Sequence, residues 1–149
     1  MTTSAISHPA PARSWVRTTL VLAAAVVVAI ALNAAVAAVA VAVGAPTDYG
    51  PLTAPAFASM TLVGVLAGWA GWSIVVRRAR DPRRVLTVLV PVVAALTFVP
   101  DVLLLVFAFI PGTTTAAVLA LMAMHLVVLG VAVPAYLLAT PRERLRRAA

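Results

Sequence analysis

The sequence predicts an all-α polytopic membrane protein: a bundle of four transmembrane helices with both termini in the cytoplasm. Three observations lead there. First, the chain has 149 residues, 64% of them hydrophobic and 10% charged, with a mean hydropathy of +1.11. A soluble fold of this size leaves much of its surface in water and cannot hide so much apolar area. Second, four apolar runs each exceed the ~20 residues that cross a bilayer core. Third, every basic residue is an arginine, and all eleven lie between or beyond those runs.

The elements follow in order. Residues 1–17 form a basic tail, and residues 1–12, with Pro9, Pro11 and small polar residues, are expected to be disordered. The transmembrane domain covers 18–139, with spans at 18–43, 53–76, 85–110 and 114–139. Residues 20–43 carry no charge over 24 positions. That is longer than the ~7–15 residues of a signal-peptide core, so the first span is expected to be retained. Gly44-Ala45-Pro46 ends it, and Gly50-Pro51 precedes the second. Asp81-Pro82 opens the third, with Asp81 capping free N–H groups and Pro82 in the first helical position. Pro111-Gly112 is a turn, and Thr113 or Thr114 caps the fourth span. Thr140-Pro141-Arg142-Glu143 reads as a capping box that starts a short basic helix within the 140–149 tail. A 26-residue helix is about 39 Å long against ~30 Å of hydrocarbon, so tilt or a kink is expected. Pro91, Pro100 and Pro134 lie inside spans. Pro100 deprives the Leu96 carbonyl of its helical donor and is the predicted kink.

Orientation comes from the arginines. Arg13 and Arg17 precede the first span. Arg77, Arg78, Arg80, Arg83 and Arg84 separate the second from the third. Arg142, Arg144, Arg146 and Arg147 follow the fourth. The other two connections contain no basic residue, and Asp48 is their one acid. The positive-inside rule then puts both termini and the arginine loop in the cytoplasm, in a multi-pass protein of the plasma membrane. Trp15 and Trp72 fall near the inner interface, where aromatic belts form. Trp69 lies a turn deeper, and Tyr136 is near the inner end of the fourth span.

The expected partners are the lipid bilayer and anionic lipids of the inner leaflet, at about 1 kcal/mol per arginine near the surface. A net charge of +7 alone would suit a nucleic-acid binder, but arginines that flank apolar spans do not form the stripe such binding needs. No nucleic acid is expected. The absence of cysteine excludes disulfides, thiolate metal ligands, palmitoylation and prenylation, and Thr2 argues against myristoylation.

Helices in lipid associate by close packing and polar contacts. Gly64, Gly68 and Gly71 form a GxxxG surface extended by one glycine. Two readings apply: packing against a neighbour in the same chain, for which the alanine- and valine-rich first span is smooth enough, or a homodimer face.

Asn33, Asp101 and His125 are the polar residues deep within spans. Counted from the outer ends at ~1.5 Å per residue, all three lie roughly 13–17 Å down, at one level. An aspartate there costs roughly 2.5–3.5 kcal/mol on insertion scales and needs a partner. His125 is its expected partner, and Asn33 can offer an amide donor to either. The contact reads as packing between the third and fourth spans, or as a proton-responsive or ligand-contacting centre. One His with one Asp is too few for a typical zinc site, and a single span histidine cannot make a bis-histidine haem. No metal and no cofactor are expected. Thr53, Ser59, Thr61 and Thr97 are ordinary span residues that can bond carbonyls of their own helices. Ser73 has no base near it in sequence, and no catalytic motif is present.

Pro51-Leu52-Thr53, Gly64-xxx-Gly68-Trp69, the arginine loop, Phe98-Val99-Pro100-Asp101 and Met124-His125 together resemble an uncharacterised family of small four-helix integral membrane proteins found in actinobacteria. The resemblance covers about 18–139. It implies the architecture and assigns no chemistry. Exclusive use of arginine with much alanine and valine fits a GC-rich genome. The chain also looks superficially like the small multidrug transporters, but their first helix carries a glutamate where this one has Asn33.

The expected function is non-enzymatic: a structural or partner-binding bundle with a buried Asp101–His125 contact. The alternative is a proton-coupled small-solute carrier or channel working as an oligomer. An enzyme acting on lipid head groups would need a lipid-accessible cleft lined by both Asp101 and His125.

Overall fold

A computed structural model describes residues 11–141 and Leu145. The chain runs α1 (Pro11–Ala42), a 3₁₀ turn (Gly50–Leu52), α2 (Ala54–Arg78), α3 (Pro82–Thr97), α4 (Val99–Phe107) and α5 (Thr115–Ala139). Among the described residues there is no strand. Among the described residues, four stretches are long and apolar enough to cross a membrane: Trp15–Ala42, Ala54–Arg78, Pro82–Phe107 and Thr115–Ala139.

The helix ends differ from expectation in two places. Helix α1 begins at Pro11, well before residue 18; proline is pre-shaped for a first helical position, and nothing between it and Thr18 breaks a helix. The third span stops at Phe107, short of Ile110, because Ala108 turns into the left-handed region at φ 46° and ψ 37°. Its N–H returns to the Leu104 carbonyl at 2.9 Å, the cap that glycine usually makes. An alanine there carries the cost of its Cβ, about 1 kcal/mol. Ala108→Gly is expected to raise stability by about 0.5–1 kcal/mol, read from denaturant titration in micelles. A fall would contradict the cap.

The third span is two helices. Pro100 has no N–H to continue the ladder. The Phe98 N–H turns back to the Ala95 carbonyl at 3.2 Å, and the Val102 N–H restarts the ladder on the Phe98 carbonyl at 2.9 Å. Pro91 lies inside α3 without interrupting it.

Short side chains cap the other ends. Asp81 Oδ1 accepts the Arg84 N–H at 3.1 Å, and Thr114 Oγ1 accepts the Ala117 N–H at 3.2 Å. Gly44 and Gly112 turn the two arginine-free connections with φ 107° and 78°. These connections are tied together by Tyr49, which is fully buried. The Thr113 hydroxyl donates to the Ile110 carbonyl, so the Tyr49 hydroxyl is the donor to Thr113 Oγ1 at 3.3 Å. The tail before Pro11 lies outside the described residues, as do Arg142, Glu143, Arg144, Arg146 and Arg147.

Helix α5 is the centre of the bundle and touches every other helix; its most extensive partner is α1. The reason is a stripe of small residues. Leu22, Ala25, Ala29, Asn33, Ala37 and Ala40 are the buried face of α1, repeating every three or four residues. Helix α5, against which α1 packs, buries Ala117, Ala120, Ala132 and Ala135 in turn. Small side chains let two backbones approach closely. The opposite faces carry exposed Val27, Val39, Met60, Val88, Val106, Leu126 and Leu138, an apolar exterior far beyond that of a soluble monomer.

The core divides into two apolar clusters. One, at the arginine-free end, gathers Tyr49, Leu52, Phe57, Leu104, Val118 and Met124. The other, at the arginine end, gathers Leu22, Val65, Trp72, Leu86, Ala132, Tyr136 and Leu145. Between them, in sequence position along each helix, lie the buried polar residues Asn33, Thr61 and Asp101.

Candidate functional site

The helix break and the buried acid belong together. Because α4 restarts at Val99, Asp101 falls in its first turn, where free N–H groups and the positive helix end favour a carboxylate. Asp101 is 4% exposed. Its Oδ2 lies 3.0 Å from His125 Nδ1 on α5. The same nitrogen is 2.8 Å from the Leu121 carbonyl oxygen. Both neighbours accept, so the hydrogen is assigned to Nδ1. It points along the helix to Leu121, and Asp101 Oδ2 makes no aligned hydrogen bond. The Asp101–His125 contact is therefore electrostatic, with the imidazole held in place by its own helix.

Asn33 does not join this pair. Its Nδ2 donates to Thr61 Oγ1 of α2 at 2.9 Å, and its Oδ1 has no partner among the described residues. The expected amide donor to Asp101 or His125 is thus spent elsewhere. Thr61 departs from expectation too: it bridges two helices, whereas Ser59 and Thr97 donate to Ala56 and Ala94 of their own helices. The common level of the three polar residues resolves into two separate contacts, α1 with α2 and α4 with α5.

Beside them is a cavity of about 690 Å³ bounded by α2, α3 and α5. It exists because α3 buries little beyond Leu86 and Pro82 and stands off from α2 and α5 further along. Its walls are apolar, with Asn33, Thr61, Thr97, His125 and Tyr136 as the polar lining; Asp101 does not reach it. The His125 side chain is 36% exposed, and Nε2 is its one nitrogen without a described partner.

The three glycines also line this cavity, but they do not form one packed seam. A Cβ on Gly64 or Gly71 would meet nothing within 4 Å, whereas on Gly68 it would lie 2.5 Å from the Tyr136 hydroxyl. The missing side chain at Gly68 lets that hydroxyl reach the Val65 carbonyl at 2.6 Å. Smooth packing between α1 and this glycine face, as expected from sequence, gives way to α1 on α5.

Tyr136 centres an aromatic cluster at the arginine end, with ring centroids 5.7 Å from Trp69 and 5.6 Å from Trp72. Trp72 Nε1 donates to Thr140 Oγ1 at 2.9 Å, and the Thr140 hydroxyl donates to the Tyr136 carbonyl at 2.7 Å. Arg17 donates to the Leu138 carbonyl at 3.1 Å, closing a helix end that lacks internal donors. Arg77, Arg78, Arg80, Arg83 and Arg84 are all exposed. Sequence reasoning missed the roles of Tyr136, Thr61 and the α1 alanine stripe. The stripe had a readable signal, since Ala25, Ala29, Asn33 and Ala37 repeat every fourth residue.

Among the described residues, no third His, Cys, Asp or Glu joins Asp101 and His125 to make a metal-binding group. No curated protein and no solved structure matches the chain. A family model does match, over residues 11–142, and the chain belongs to that family of unknown function, DUF6069.

Proposed function

We propose that this is a multi-pass plasma-membrane protein, with both termini cytoplasmic, that acts without catalysis as a structural or partner-binding bundle. The carrying observation is the placement of Asp101: 4% exposed, turned onto His125, and absent from the cavity wall. A carboxylate turned into helix packing supports a structural role over contact with a substrate. The enzyme reading required a cleft lined by both residues, and only His125 lines this one. The arginine distribution supports the orientation, and the arginine-only basic set with its alanine and valine supports an actinobacterial origin.

Asp101→Asn tests the reading. It should lower stability in detergent by about 1 kcal/mol, since a buried pair member is replaced by a neutral isostere. Proton and solute flux through liposomes should equal that of the wild type. Flux lost at unchanged stability would overturn the proposal.

A second reading rests on His125 alone. An imidazole with a free Nε2 on a cavity wall suits a proton-coupled carrier or small channel. That reading expects a pH-dependent uptake that His125→Gln removes, and no flux under any imposed gradient retires it.

A further inference from the structure

The cavity is a trough that runs along the helices and ends below the arginine loop. Its α2 wall extends from Ala56 to Trp72, a length of about 24 Å at 1.5 Å per residue. A trough of about 690 Å³ with apolar walls over that length suits an unbranched hydrocarbon chain. One leaflet of a bilayer core is about 15 Å deep, so a lipid tail fits within it.

The walls carry arginines at the right end. On α2 the trough face contains Gly64 and Gly71, and the same seven-residue step reaches Arg78. On α3 it contains Thr97 and Val90, and the same step backwards reaches Arg83. Residues seven apart share a helix face. Arg78 and Arg83 therefore stand on the two walls at the mouth. Both are exposed, and among the described residues neither has an ion pair. The nearby Asp81 carboxylate is occupied by the Arg84 N–H.

We infer that the trough between α2 and α3 holds one acyl chain of an anionic phospholipid, with the head group between Arg78 and Arg83. The inference rests on the membrane-spanning reading above, but not on which side of the membrane the arginines lie. The glycines give the tail its room, and the two arginines select the head group. At roughly 1 kcal/mol per arginine near the surface, two of them correspond to a preference of about 30-fold over zwitterionic lipid.

The test is native mass spectrometry of the full chain released from nanodiscs of mixed phosphatidylglycerol and phosphatidylcholine. One retained phosphatidylglycerol per chain is expected. Gly64→Leu/Gly71→Leu fills the trough, at sites where a Cβ meets nothing within 4 Å. It should cut retention at least tenfold. Arg78→Gln/Arg83→Gln changes only exposed side chains; it should bring the two lipids to parity, while Arg77→Gln/Arg80→Gln keeps the preference. Millimolar inorganic phosphate should displace nothing. A preference that survives Arg78→Gln/Arg83→Gln, or displacement by phosphate, overturns the inference. So does a two-chain mass that falls to one chain in Gly64→Leu/Gly71→Leu, which would give the trough to a second copy. Protein inside the discs without retained lipid overturns this inference alone, whereas protein that stays out of the discs overturns the membrane reading as well.

Discussion

Gly68→Ala is expected to destabilise the bundle by about 2 kcal/mol, while Gly64→Ala and Gly71→Ala leave it unchanged or raise it by up to about 1 kcal/mol. The asymmetry follows from what each new methyl group meets. At Gly68 it would lie 2.5 Å from the Tyr136 hydroxyl and 3.3 Å from two ring carbons. That ring cannot swing away, because it is 5% exposed and packed between Trp69 and Trp72. Overpacking of this kind costs about 1–3 kcal/mol, and the Tyr136–Val65 hydrogen bond is lost with it. At Gly64 and Gly71 the space is open, so the higher helix propensity of alanine decides the sign. Tyr136→Phe deletes the clashing oxygen. Combining it with Gly68→Ala should therefore cost little more than Tyr136→Phe alone. Reversible unfolding in mixed micelles measures all five variants. Equal losses at the three glycines would instead point to a uniform packed seam and contradict the geometry.

His125→Ala should cost about 3 kcal/mol, more than Asp101→Asn. Two magnitudes compete here. Hydrogen bonds between membrane helices average ~0.6 kcal/mol, but taking away the partner of a buried polar group costs about 1–3 kcal/mol, and more when that group is charged. Asp101 is 4% exposed and its Oδ2 has no aligned donor, so the second magnitude governs. The void left by the imidazole adds little, since that side chain already borders the cavity. In the double variant with Asp101→Asn the stranded carboxylate is gone. Its cost should be at least 1 kcal/mol below the sum of the single costs. Additive costs would mean that the 3.0 Å contact carries no coupling.

The sequence shows where the helices start and stop more plainly than which faces meet. Asp81-Pro82 and Thr114 announce helix starts by residue chemistry alone, because an oxygen on a short side chain can satisfy a free N–H only at that place. The four apolar stretches are equally plain, since their length and composition mark them without any knowledge of packing. Partner choice is different. A helix that is apolar on all sides has no favoured face, so small differences in side-chain size decide. Ala25, Ala29 and Ala37 bring α1 against α5, although the glycines of α2 were the more conspicuous small residues. Spacing alone could not say that Gly68 is approached and Gly64 is not, because the answer depends on Tyr136, 68 residues further on. Asp101 and His125 were legible as a pair, because few buried groups could serve either. Asn33 was not, because an amide bonds a hydroxyl as readily as a carboxylate, and Thr61 was nearer.

The pairing of α1 with α5 bears on how the protein is made. The most extensive partnership among the described helices joins α1 to α5, and α1 leaves the ribosome long before its partner. Close to a hundred residues separate the end of α1 at Ala42 from the end of α5 at Ala139, which is about 5–20 s of translation. Throughout that interval the alanine seam of α1 is without its main partner, and Asn33 must wait for α2 to deliver Thr61. A nascent chain halted before α5 would hold α1 against α2 alone, with the alanine seam uncovered until α5 is made.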